Sequence, residues 1–292
     1  MTDLVPPKRV FPPAREDAVH ASRPTPTAQT ADPAYRLAFQ DMDFLLREDL
    51  RPVRFQLELM KPELLLDAAK IASTIVVYGS ARIPAPDKAD ALLAAAATDA
   101  QRRVAERLKA KACYYDEARK LARLASEIGA DADGWRHFVV CSGGGPSIME
   151  AANRGAADIG AETVGLNIAL PHEQVPNPYV TPGLSFQFHY FALRKMHFLL
   201  RARAAVVFPG GFGTLDEMFE LLTLVQTGKV RPLPILLFGR EFWDRAVGWD
   251  FLVDEGVISA DDLGLFQRVE TADEAWTHIC AWYAKPENRG PR

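Results

Sequence analysis

The chain has 292 residues, of which 48% are hydrophobic and 25% charged, the balance of a globular protein of one large or two ordinary domains. With 34 Lys and Arg against 38 Asp and Glu the formal net charge is -4, which argues against a general binder of nucleic-acid polymers but leaves room for a small phosphorylated ligand at a local positive site. Cys113, Cys141 and Cys280 cannot all pair and fit no zinc spacing, no apolar run nears the ~20 residues of a membrane span, and MTDLVPPKRVFPPAR lacks a signal-peptide core, so the expectation is a reduced, cytoplasmic protein with no metal, no cofactor and no membrane attachment.

Residues 1–34 are rich in Pro, Thr and Ala without apolar periodicity, and a disordered tail is expected there. From 35 to 72 apolar residues recur at helical spacing (Leu45, Leu46, Leu50, then Phe55, Leu57, Leu59, Leu64, Leu65), which predicts two short helices parted near Pro52 and docked on the domain that follows. That domain, 73–292, opens with the β-branched run Ile75-Val76-Val77, a buried strand. Residues 87–129 are rich in Ala, Arg and Leu and helical throughout, too long for one helix, so a helical insertion is expected over about 87–133. Further strands are predicted at His137–Cys141, over ETVGLNIAL, over AAVVF, over PILLFG and at Phe266–Val269. Helices are predicted from Pro146 to Ile159, over FHYFALRKMHFLLRARA, after Gly213, over WDFLVDEG and at Ala272–Ala284. Alternation of strand and helix demands a parallel sheet covered on both faces, and the fold class is a doubly wound, Rossmann-like α/β domain with an N-terminal helical extension.

Three strands end in glycine: at Gly79-Ser80, at Ser142-Gly143-Gly144-Gly145-Pro146 and at Pro209-Gly210-Gly211-Phe212-Gly213-Thr214. In an open parallel sheet the carboxyl ends share one edge, so the three loops should converge on one crevice. Glycine admits the backbone to a ligand, and the first N–H groups of the following helix then face an anion. Tight turns explain single glycines, and Gly79 is balanced between the two accounts, but three glycines in four residues at Gly210–Gly213 exceed what a turn requires. No Gly-Lys-Ser/Thr follows any of the loops and none reads G-x-G-x-x-G, which weighs against an ATPase and a conventional dehydrogenase.

Charged residues cluster near the same edge. Thr214-Leu215-Asp216-Glu217 has the pattern of a capping box, which would by itself account for Glu217; alternatively its carboxylate faces the crevice and acts on a sugar. Tyr190, Arg194, His197 and Arg201 share one helical face, and Arg194 and Lys195 interrupt an otherwise apolar segment, Leu184–Leu200, that invites burial by a second subunit. Met149, Glu150 and Asn153 follow the second glycine loop and are candidates to line the crevice, with core packing the plainer role for Met149; His189 and His197 read as structural histidines.

Pro209-Gly210-Gly211-Phe212-Gly213-Thr214-Leu215-Asp216-Glu217 resembles the PGGxGTxxE signature of the LOG ("lonely guy") proteins, long labelled lysine decarboxylase-like. Arg194-Lys195-Met196 resembles that family's RKxxM element, residues 142–153 its SGGG-type loop, and Gly79-Ser80-Ala81-Arg82 its first loop; the likeness covers about 70–285. The resemblance implies a phosphoribohydrolase that splits nucleoside 5′-monophosphates, cytokinin riboside monophosphates among them, and a homodimer or a larger dimer-based assembly. It implies catalytic positions at Arg194 and Glu217. Substrate-binding positions would be Gly79, Ser80, Gly143, Gly144, Gly145, Met149, Lys195, Gly210, Gly211, Gly213, Thr214 and Asp216. Departures are Ala192-Leu193 for the usual His-Glu, Asp216 for the commoner Glu and Ser147 for a frequent Gly, and they point to a bacterial-type member acting on a plain purine. Two rival expectations are a nucleotide carrier without turnover, and a decarboxylase, which needs a pyridoxal phosphate Schiff base for which Lys195 is the only lysine close to the crevice.

Overall fold

A computed structural model describes residues 11, 13–22, 24–171 and 175–289. The chain divides into two compact units, 1–58 and 59–292. The smaller holds short helices: α1 (Ala14–Ala21), α2 (Ala28–Ala31) and α3 (Met42–Leu45), with 3-10 turns between, and the start of α4 (Arg51–Ala68). Within 1–34, where disorder is expected, residues 14–21 and 28–31 are helical, and residues 1–10, 12 and 23 lie outside the described residues. Of the two helices expected over 35–72, the first is the single turn α3 and the second is the longer α4; the break falls at 46–50 rather than at Pro52, which occupies a first-turn position of α4 that needs no backbone donor, and α4 runs on through Pro62. Arg54 Nη1 ties the start of α4 to the Leu45 carbonyl at 2.9 Å.

The larger unit carries a seven-stranded, all-parallel sheet in the order β4-β3-β2-β1-β5-β6-β7. The strands are β1 (Thr74–Tyr78), β2 (Val139–Ser142), β3 (Thr163–Ile168), β4 (Ser185–Phe188), β5 (Ala202–Val207), β6 (Ile235–Phe238) and β7 (Gln267–Val269). The insertion expected between β1 and β2 is α5 (Pro86–Ala94), α6 (Asp99–Lys109) and α7 (Cys113–Ser126); α8 (Ile148–Ala157), α9 (Phe191–Leu200), α10 (Phe212–Gln226), α11 (Arg240–Ala246), α12 (Trp249–Asp254) and α13 (Ala272–Ala284) follow.

Every residue of β1 is buried, and its side chains alternate between two cores. Val76 and Tyr78 belong to the core that holds Phe198 of α9 and Met218 and Leu221 of α10, whereas Ile75 and Val77 belong to the one that holds Leu121 of α7, Ile148 of α8 and Ile279 of α13. The chain lays down β1 to β4 in one direction and returns through α9 to place β5 on the other side of β1. The strand order reverses between β1 and β5, and in such sheets the crevice at that point is the ligand site. Among the described residues no helix is long and apolar enough to cross a membrane.

Candidate functional site

Hydrogen bonds stitch the three glycine loops together. Ser80 N–H donates to the Pro209 carbonyl at 3.1 Å and Ile148 N–H to the Ser80 carbonyl at 3.4 Å, so the ends of β1, β2 and β5 form one edge. The second loop is held from beneath by a buried polar network. Ser142 Oγ donates to Asn153 Oδ1 at 2.7 Å and receives Gly144 N–H at 3.0 Å, while Asn153 Nδ2 reaches Thr163 Oγ1. Asn177, from the segment after β3, donates through Nδ2 to Asn153 Oδ1 at 2.9 Å and to the Gly145 carbonyl at 3.0 Å, and through its backbone to the Gly144 carbonyl at 2.8 Å. Gly144 takes φ +71°, which glycine adopts freely. Ser147 takes φ +68° and ψ -124° just before α8, a strained conformation for a residue with a Cβ, and its hydroxyl is anchored on the Ile83 carbonyl. That backbone is the physical reason for the Gly that the resemblance leads one to expect at 147.

Arg194 and Glu217 meet above this edge. Arg194 Nη1 lies 3.3 Å from Glu217 Oε1, their side chains being 12% and 13% exposed. Arg194 Nε donates to the Leu166 carbonyl on β3 at 2.7 Å, and the guanidinium lies over the Phe198 ring at 4.9 Å. A Cβ added to Gly143 would fall 2.7 Å from Arg194 Nη2 and 2.8 Å from Met149 Sδ, so only glycine lets that guanidinium and that sulfur close over the second loop. Burial pushes the Glu217 carboxyl up to about 7, with Arg194 opposing the rise and Asp216 adding to it. Burial also raises Tyr78 and Cys141, on the strand ends below, and the Glu217 charge reinforces both shifts. A carboxyl poised near neutrality beside a fixed cation can take up or release a proton at working pH.

The third loop is open. A Cβ on Gly211 or Gly213 would meet nothing within 4 Å, so no contact inside the chain demands glycine there, whereas one on Gly210 would strike the buried Thr214 side chain. A Cβ on Gly79 would strike Ile148 and Phe208, which gives this glycine a packing role. The helix begins at Phe212 with Gly211 as its cap, two residues earlier than expected, so Gly213 and Thr214 lie in its first turn. That shift removes the capping box: Thr214 is not at the cap, and Glu217 reaches Arg194 instead of the helix start. The second loop departs in the opposite sense, because α8 starts at Ile148 and Pro146 stands before it.

The remaining candidates separate by place. Lys195 Nζ sits 3.2 Å from both Asp216 and Glu220; burial works against its charge, but the two carboxylates outweigh that and hold it above the ordinary lysine value. A lysine locked as a cation is badly prepared to form a Schiff base. Asp216 is exposed and engaged with Lys195. Glu150 accepts from the Tyr115 hydroxyl at 3.0 Å, and Asn153 is fully buried in the network rather than lining a crevice. His197 is buried, as a structural histidine should be. Sequence reasoning missed Asn177 and Thr163, whose partners are distant in the chain, and the Leu166 carbonyl, which no side-chain pattern can announce.

The family model described as "Possible lysine decarboxylase" matches residues 149–279, a span that includes Met149, Arg194, Lys195 and the whole loop from Gly210 to Glu217. A cytokinin riboside 5′-monophosphate phosphoribohydrolase of Oryza sativa subsp. japonica is 29% identical over 168 residues, 56% of this chain and 65% of the rice protein. A pyrimidine/purine nucleotide 5′-monophosphate nucleosidase of Escherichia coli (strain K12) is 30% identical over 116 residues, 36% of this chain and 25% of that protein. The chain thus spans just under two thirds of the rice relative and a quarter of the bacterial one. A solved Moco carrier protein from Chlamydomonas reinhardtii aligns over 73% of this chain and 98% of its own at 17% identity with a TM-score of 0.43. The motif residues assembled at one edge of the sheet fall within the span of the matched family model, and the chain is similar to the LOG cytokinin riboside 5′-monophosphate phosphoribohydrolases.

Proposed function

We propose that the protein hydrolyses the N-glycosidic bond of nucleoside 5′-monophosphates, giving the free base and ribose 5-phosphate. The observation that carries this reading is the largely buried Arg194–Glu217 pair beside the open Gly210–Thr214 loop, with the carboxyl near neutrality. The names of the rice and E. coli relatives support the reaction class. In the proposed site the first N–H groups of α10 and the glycine backbone receive the 5′-phosphate, helped by the helix dipole. Binding energy from the phosphate then positions the sugar. The C1′–N bond breaks with its electron pair passing to the base, and positive charge develops on the sugar ring, as in other glycoside cleavages. Glu217 as carboxylate stabilises that charge, orients the water whose oxygen bonds C1′, and accepts the water's proton. The Arg194 guanidinium offsets negative charge at the phosphate or the departing base, whose nitrogen takes its proton from solvent.

The proposed substrate is AMP or a cytokinin riboside monophosphate, with the departures at Ala192-Leu193, Asp216 and Ser147 favouring a plain purine. The proposed assembly is a homodimer or a dimer-based oligomer, supported by the exposure of Phe191, Met196 and Leu200 on α9. A chromatographic product assay over a panel of nucleoside monophosphates, with the matching nucleosides as controls, tests the reaction. Release of base and ribose 5-phosphate from the monophosphates alone is the expected result. Calorimetric binding of AMP without product would replace the enzyme with a carrier, and equal turnover of nucleosides would remove the phosphate from recognition. Sedimentation of an active protein as a monomer would refute the assembly.

A further inference from the structure

We propose that Glu63 is a positioning residue for Arg194, holding α9 in place from its far end. This rests on the phosphoribohydrolase reading only for what it expects of turnover. Arg194, His197 and Arg201 stand three and seven positions apart, so they lie along one stripe of the α9 segment. At one end of the stripe Arg194 is bound by two directional contacts, Leu166 and Glu217. At the other end the Glu63 carboxylate gathers the next two members. His197, with a side chain 1% exposed, places Nδ1 3.6 Å from Glu63 Oε1, and Arg201 donates Nε to Glu63 Oε1 and Oε2 at 3.3 and 3.2 Å and Nη2 to Oε2 at 2.8 Å. Arg201 Nη1 also reaches the Ile71 carbonyl, and its Nη2 meets Asp67 at 2.8 Å from the solvent side, where Asp67 is 59% exposed.

Glu63 is thus the common partner of a buried imidazole and a largely buried guanidinium. Without it Arg201 lacks its inward carboxylate, and the end of α9 must move to hydrate that charge. A shift of one residue's rise along the axis, about 1.5 Å, breaks at least one of the two Arg194 contacts. The phosphate loop lies at the opposite end of β5 from Arg201, so binding of the 5′-phosphate is expected to change less than turnover. Glu63 sits in the part of α4 that precedes the 149–279 match, so the extension supplies an element of the site that the family span does not contain.

The experiment compares full-length Glu63→Ala, Glu63→Gln and Asp67→Ala in steady-state turnover of AMP, in melting temperature, and in a 13C NMR titration of the Glu217 carboxyl assigned with Glu217→Gln. The groups facing that carboxyl are Arg194 and Lys195 from α9, Asp216 and Glu220 along α10, Tyr78 from β1 and Cys141 from β2. Glu63→Ala is expected to lower kcat at least about tenfold with KM within about threefold, and Glu63→Gln, which keeps an acceptor for Arg201, to recover most of kcat. Asp67→Ala is expected to hold kcat within about twofold although it too removes an Arg201 partner. The Glu217 midpoint in Glu63→Ala should rise by about one pH unit as Arg194 recedes. Equal kcat losses in Glu63→Ala and Asp67→Ala, or an unmoved Glu217 midpoint, would overturn the proposal. Should Glu63→Ala not fold, Glu63→Asp, which draws the carboxylate back by one methylene, carries the same comparison and is expected to lose at least about threefold in kcat. If the wild type turns over no 5′-monophosphate, the functional reading fails and the NMR titration alone decides the clamp.

Discussion

Replacing Glu217 by Gln should make the protein more stable at alkaline pH while it abolishes most activity. Burial raises the Glu217 carboxyl from its ordinary 4.5 to about 7 in the folded chain. The folded state therefore binds this proton more tightly than the unfolded one. The stabilisation is fully present below pH 4.5 and is lost as pH climbs through 7. At 1.36 kcal/mol per pH unit, the wild type forfeits about 3 kcal/mol between pH 4.5 and 8.5 that a Gln does not forfeit. The Gln side chain keeps an oxygen for Arg194 Nη1, so the Arg194 contact at 3.3 Å persists. Thermal or urea unfolding of the two proteins at several pH values reads the effect directly. The stability difference should grow with pH in favour of the variant, by roughly 6 °C in melting temperature across the range. Turnover of AMP should fall at least about 100-fold, as expected when a positioned charge is removed from a reacting centre. A stability difference that stays flat with pH would show that the carboxyl is not raised, and full activity in the variant would remove Glu217 from the chemistry.

Two further outcomes test the loops separately. Gly211→Ala meets no atom within 4 Å, so it should fold with a loss below about 1 kcal/mol. If the Gly210–Thr214 backbone receives a phosphate, the same variant should weaken AMP binding several-fold in calorimetry, and unchanged affinity would move the anion elsewhere. Asn153→Ala deprives Ser142, Thr163 and Asn177 of a buried partner at once and should lower stability by about 2–4 kcal/mol, read by urea unfolding. KM for AMP should also rise, because Gly144 and Gly145 are tied to that network. A loss below about 0.5 kcal/mol would show that the network does not hold the loop.

The order of strands and glycine loops was legible in the linear chain, because a buried parallel strand needs a short β-branched run and a close-approaching loop needs glycine. β4 was not, since Ser185–Phe188 is four residues long and adjoins the apolar stretch that continues into α9. Its burial alternates with period two, a signal too short to separate from helical spacing. The capping-box pattern at Thr214–Glu217 was present in the residues yet unused, because α10 starts two residues sooner and Glu217 finds a stronger partner across the crevice. Helix starts are local choices among nearly equal caps, and packing of the preceding strand decides between them.

Covalent order dictates which residue types are available for chemistry: glycines at three strand ends, an arginine in an apolar helix and a glutamate past the last glycine loop. Folding alone brings Arg194 against Glu217, ties Asn153 and Asn177 to the second glycine loop, and sets Glu63 against Arg201 at the end of α9. Side-chain type is fixed by covalent order, but proton affinity and hydrogen-bond partnership depend on burial and on neighbours brought from far along the chain, 138 positions for Glu63 and Arg201.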